Sequence, residues 1–397
     1  MIYLRYLMLL ALNGTVACSP NLNVPSQPIP ERDIAAKAAA MAGASILDID
    51  LYTPSAVLPG CSGKNELVVR TIESPTLQSA LQQAQAYSDS QSGLALMVIH
   101  QDALIYESYA DNVSVRSRTE SFSMMKSVTS LMVGIALEKG VIKNVDDPIG
   151  NYLDEWRNDP RERITIRQLL TMSSGLQSFP FGVPGGETEK LLYSTNINAV
   201  ALGYPLSGTP GAVFQYNNVN SQLIGAAIDR SLRRQGNGSF AKFMQENLWC
   251  PLGNGEATLW LDRKGGSPHF YSGLQASARD WARLGELIRN QGKVGVKQIV
   301  PQNWISEMLR PSDTNPAYGL HIWRGQAWQN VRKYDPASSF GVSHSEAYLA
   351  PDVYFFDGFG GQRVYIIPSE NLTIVRVGEA SMTYDDSIIV NLLLAAI

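Results

Sequence analysis

The chain has 397 residues, 45% of them apolar, enough to bury a large core and to build two or three structural units. Charged residues are 17% and the net charge is −4, which excludes an intrinsically disordered chain and the basic footprint of a nucleic-acid binder. No apolar run approaches the ~20 residues of a spanning helix. Four His and three Cys, far apart, make no metal-ligand spacing, so neither metal nor cofactor is implied.

The first residues read as a secretory signal. Arg5 precedes a short apolar stretch, and small residues follow up to Ala17-Cys18. Cys18 in this setting resembles a lipobox cysteine, which would attach the exported protein to a membrane on the periplasmic side. Thr15 stands where such a motif usually has Leu. Residues 19–60 form a tether, rich in Pro and Asn at its start, and an N-terminal extension. Cys61 and Cys250 then leave two readings open, a disulfide in an oxidising compartment or two separate buried thiols.

Strands are expected over 93–100 (GLALMVIH) and 103–109 (ALIYESY), with Gln101-Asp102 as the hairpin turn. A helix follows over 123–139, closed by Gly140 at the C-cap position. Its Met124, Met125, Val128, Leu131, Met132, Ile135 and Ala136 cover more than one stripe, so the helix is expected to be central and buried. Further helices are read over 163–176, stopped by Gly175, and over 219–234, 277–290 and 385–396. Strands return over 353–356, 363–367 and 372–377. The expected fold is α+β, an α/β sandwich. Its mostly antiparallel sheet comes from both chain ends (61–140 and 290–397) and is flanked by helices, with a helical region (141–289) inserted.

Ser123-Met-Met-Lys126 is the first chemical candidate. A spacing of three puts both side chains on one face of a helix, with the serine at its N-terminus, where free N–H groups favour a developing anion. A serine needs a base, and a lysine serves only when burial lowers its pKa by several units. The spacing by itself is weak: Ser239-Phe-Ala-Lys242 matches too, and reads as a helix cap followed by a surface lysine. Tyr216-Asn217-Asn218 follows a turn-rich stretch and offers a phenol to relay a proton and an amide to hold a carbonyl. The turn Asp357-Gly-Phe-Gly-Gly-Gln362 opens a strand; its glycines Gly360 and Gly361 let backbone approach a ligand, and the Gly361 N–H is a candidate oxyanion donor beside that of Ser123. A Ser-His-Asp hydrolase would carry Gly-x-Ser-x-Gly, which is missing. His344 is the one histidine in a loop-like setting that could line a cleft.

These three pieces, in this order, resemble the serine β-lactamase and penicillin-binding-protein superfamily. The branch is that of class C β-lactamase-related hydrolases, which includes esterases, D-amino-acid peptidases and 6-aminohexanoate-dimer hydrolases. The segments 107–126, 164–176, 251–253 and 272–285 support the resemblance, which runs from about residue 85 to the end. It implies a β-lactamase/transpeptidase-like fold, with Ser123 as acylated nucleophile, Lys126 as its activator, Tyr216 as acid/base partner and Asn218 as a substrate-positioning residue. The implied substrate is a small ester or amide, hydrolysed through an acyl-enzyme. In lactam-processing members the third motif is Lys-Thr-Gly or His-Thr-Gly; the aligned Gly358-Phe359-Gly360 carries no cation. That departure favours an ester or amide hydrolase over a β-lactamase or D,D-peptidase. The contrasting non-enzyme reading is a wall-binding module that keeps the fold.

Overall fold

The computed structural model describes residues 31–397 apart from 62, 64, 65, 182 and 336–340. The signal segment, Cys18 and residues 19–30 of the tether lie outside the described residues.

Strand Gly93–His100 alternates its side chains between two cores. Leu96 and Val98 join one, Met97 and Ile99 the other, so both faces of the sheet are covered. Gln101 and Asp102 both take positive φ, as a two-residue hairpin turn requires, and the chain returns as Ala103–Tyr109. The C-terminal strands Leu372–Gly378, Gln362–Ile367 and Tyr354–Gly358 add to the other edge of Gly93–His100, each antiparallel to the last. Short strands Trp323–Arg324 and Val68–Val69 complete a seven-stranded sheet built from both chain ends. On one face Gly285 of helix Ala278–Arg289 lies directly over Thr373 and Val364. On the other, helices Pro75–Ser90 and Ile388–Leu394 pack against each other and the sheet.

Helix Met124–Glu138 is buried around its whole circumference from Met124 to Ala136. Two close approaches hold it. Trp304 lies over Gly134, where a Cβ would come within 2.1 Å of the indole, and the indole N–H donates to the Ser130 carbonyl at 2.9 Å. Helix Asn218–Arg234 packs along it as well. Gly140, at φ 67°, ends it as expected.

The region 141–289 is less purely helical than its pattern predicts. It contributes Ala257–Trp260 and Leu274–Ser277 to a second, four-stranded sheet with Ser55–Leu58 and Arg118–Glu120. Helix Ala278–Arg289, read as the end of the helical insertion, covers the central sheet instead. The apolar strands 257–260 and 274–277 are too short for periodicity to separate them from buried helix. Segment 163–176 is α-helical only over Ile166–Leu170, capped by the Thr165–Gln168 box. Cys61 and Cys250 are joined by a disulfide across a separation of 189 residues. Among the described residues no helix is long and apolar enough to cross a membrane.

Candidate active site

The nucleophile candidate sits at a forced turn. Phe122 has φ +44°, a left-handed conformation that a bulky residue adopts only when its surroundings impose it, and Ser123 follows at the N-terminus of the buried helix. The imposing group is Glu120. Its buried carboxylate accepts from the N–H of Phe122 (3.0 Å), the N–H of Gly273 (2.6 Å) and the amide of Gln275 (2.6 Å). Glu120 and Gln275 are register partners in the second sheet, so that sheet ties the turn before Ser123 to segment 271–275. Burial raises Glu120 to about 7, and the three donors pull against that rise.

Ser123 caps no backbone N–H, so its hydroxyl is available. Lys126, one turn on and 1% exposed, places Nζ 2.7 Å from Ser123 Oγ and donates to the Tyr271 carbonyl at 3.3 Å. Burial drives its pKa well below the usual lysine value, and the charge of Asp357 only partly opposes this. A neutral amine keeps one lone pair, and the bond to Tyr271 leaves it free to face the serine hydroxyl. Tyr216 closes the group. Its phenol lies within reach of the Ser123 hydroxyl, which favours the ionised form, and Lys126 Nζ lies 4.8 Å from its ring centroid. Burial, with Tyr318 and Asp357 beside it, pushes the Tyr216 phenol well above its ordinary range. The ring is seated among Trp323 (stacked at 5.8 Å), Tyr334 (5.2 Å) and Tyr318 (6.2 Å).

Ser123, Lys126 and Tyr216 are thus brought together across 93 residues of sequence. Asn218 is buried in the first turn of helix Asn218–Arg234, capped by Asn217, and makes no hydrogen bond to the three. Gly360 and Gly361 form the tight turn after Tyr354–Gly358, both with positive φ. Their carbonyls take Arg376 Nη1 at 3.3 and 3.0 Å, and Gly361 faces Arg376 and the Tyr384 ring. The parts of this hairpin that meet the nucleophile turn are Gly358, against the Ser121 carbonyl, and Phe359, edge-on to Phe122. Ser239 and Lys242 behave as a cap and a surface lysine: Ser239 Oγ accepts from the Lys242 N–H, and Lys242 pairs with Glu246. Among the described residues no group of three or more His, Cys, Asp or Glu is placed to hold a metal.

Sequence reading missed Glu120 and a buried ion quartet. Arg332 bonds Asp386 (2.8 Å) and Asp357 (3.3 Å), while Arg363 bonds Asp386 (2.7 Å) and Asp357. Burial works to raise Asp386, and Arg363 and Arg332 outweigh it, holding the carboxyl low. The Arg332 guanidinium also lies 4.3 Å from the Trp323 ring centroid. One signal was readable: Asp357 and Arg363, opposite charges flanking a glycine turn between apolar strands, are cross-strand partners.

The family model described as Beta-lactamase matches residues 77–385. A curated 6-aminohexanoate-dimer hydrolase from Paenarthrobacter ureafaciens is 22% identical over 277 residues, covering 65% of this chain and 69% of that protein. A solved structure from Bacillus anthracis superposes with TM-score 0.69 at 18% identity, covering 94% of this chain and 97% of that one. A family VIII carboxylesterase superposes with TM-score 0.60 at 15% identity, covering 83% and 98%. The two structural likenesses show a shared fold.

Proposed function

The chain belongs to the beta-lactamase family, and from that premise we propose that it is a serine hydrolase that cleaves ester or small amide bonds through an acyl-enzyme. The observation that carries this reading is the 2.7 Å contact between Ser123 Oγ and a buried Lys126 amine. Ser123 Oγ attacks the substrate carbonyl carbon while its proton passes to the Lys126 lone pair. The opposed pKa directions of the two residues support neutral Lys126, rather than a Tyr216 phenolate, as the base. The oxyanion forms at the N-terminus of helix Met124–Glu138, where the Ser123 N–H and the Gly361 N–H are the proposed donors. The Tyr216 phenol gives a proton to the departing oxygen or nitrogen and is reprotonated from Lys126. Water then attacks the acyl-enzyme by the same route in reverse. Asn218 is proposed to hold the substrate carbonyl group as it enters.

The absence of a cation in Gly358-Phe359-Gly360 favours esters and small amides over lactams. The curated relative from Paenarthrobacter ureafaciens is consistent with an amide-cleaving member. The Cys61–Cys250 disulfide supports export to the periplasm, with membrane attachment through a lipidated Cys18 as part of the same proposal. The test is turnover of p-nitrophenyl butyrate by wild type, Ser123→Ala and Ser239→Ala. Loss confined to Ser123→Ala is expected; equal turnover in all three would overturn the assignment of Ser123, and no turnover in any would leave a stricter amidase or the wall-binding module.

A further inference from the structure

Behind Tyr216 lies a cavity of about 450 Å³ whose wall is shared with the site. Trp323 lines it and stacks on Tyr216 at 5.8 Å; Phe214, two residues before Tyr216, lines it too. Three cations, Arg324, Arg332 and Lys333, face the cavity, and no Asp or Glu is among its described lining residues. Arg332 is neutralised by the buried quartet. Arg324 donates to two carbonyls, those of Leu309 and Pro316, which leaves its charge uncompensated. Lys333 has no ion-pair partner among the described residues. Two more polar atoms in this wall, Thr314 Oγ1 and His344 Nε2, are buried and have no hydrogen-bond partner among the described residues. His344 is 4% exposed, and burial lowers its pKa, so its ring is neutral near pH 7 and offers a single N–H. An orphaned buried polar atom is costly unless something fills its bond. Two of them, with two unpaired cations and an aromatic floor, fit an acceptor-only anion on a short apolar stem.

We propose that this cavity binds a carboxylate, and that its occupant is an acidic group carried by the leaving portion of the substrate. The second half rests on the acyl-transfer reading above, because Tyr216, which protonates the leaving atom, shares the Trp323 wall. The cations here come from the ribbon Val331–Lys333 and strand Trp323–Arg324, not from the Gly358-Phe359-Gly360 turn where the family resemblance would place one.

The first half is read by calorimetric titration with glutarate, which needs no turnover and so stands apart from the catalytic assignment. Wild type is expected to bind glutarate and not the uncharged glutaramide. Lys333→Glu, on an exposed side chain, should weaken binding at least tenfold, and Thr314→Val several-fold, with melting curves matched to wild type. No binding by wild type, or equal affinity in wild type and both variants, would overturn the site. The second half is read by kinetics on 4-(butyryloxy)benzoate and its methyl ester. Wild type should show the lower KM for the acid, and Lys333→Glu should reverse that preference. Glutarate binding with no preference between the two esters would overturn the substrate assignment while leaving the anion site.

Discussion

Glu120→Gln separates the two things Glu120 does, holding the nucleophile turn and carrying a buried charge. Burial raises the carboxyl from 4.5 to about 7, which corresponds to about 3 kcal/mol. The folded protein binds this proton more tightly than the unfolded chain, so the penalty is absent at low pH. It grows as pH rises from 4.5 to 7 and is constant above. Glutamine keeps an acceptor for the N–H groups of Phe122 and Gly273. Its amide meets Gln275, which turns over and donates to Thr258 Oγ1 instead of accepting from it. The variant therefore escapes a penalty that wild type carries at pH 8. At ~2 cal/mol/K per residue of unfolding entropy, 1 kcal/mol shifts a chain of this length by about 1.3 °C. Relative to wild type, Glu120→Gln should gain roughly 3 °C in Tm between pH 5 and pH 8, measured by scanning calorimetry, while keeping turnover within a few-fold. Parallel Tm-against-pH curves for the two proteins would refute the argument. Glu120→Ala is the contrast. With no acceptor the Phe122 turn relaxes, and a displacement of about 1 Å at Ser123 is expected to lower turnover on the order of 100-fold.

Lys126→Met should abolish ester turnover and raise Tm at pH 6, with a smaller gain at pH 9. The folded chain holds a neutral amine that the unfolded chain protonates below 10.5, so wild type gains stability as pH rises and the variant does not. Equal pH trends in calorimetry would count against a depressed lysine. Reducing Cys61–Cys250, or Cys61→Ser, opens a loop of 189 residues, which chain entropy values at about 5 kcal/mol. Melting with and without dithiothreitol should differ by several degrees, and coincident curves would show that the bond constrains nothing.

What the sequence determined by itself is what local geometry controls. The hairpin at Gln101-Asp102, the apolar helix closed by Gly140 and the three C-terminal strands follow from periods of two and 3.6 and from turn residues with few conformational options. Ser123 and Lys126 meet for the same reason, since a spacing of three on a helix leaves them no other arrangement. Choosing Ser123 over Ser239 needed the burial of the helix, which its apolar residues announce and the short 240–244 helix lacks.

The surroundings of this pair were decided in three dimensions. Tyr216 reaches Ser123 because helix Asn218–Arg234 packs along helix Met124–Glu138. Glu120 holds the Phe122 turn because strands from residues 118–120 and 274–277 pair in a sheet whose members are too short to read. Arg332, Asp357, Arg363 and Asp386 can be buried only as a complete set, since each lone charge would be prohibitive away from its partners. Cross-strand pairing of Asp357 with Arg363 was within reach of the pattern; the other pairings join segments whose separation carries no periodic signal. Burial, which lowers Lys126 and raises Tyr216, belongs to the packed chain as a whole, and no stretch of sequence encodes it locally.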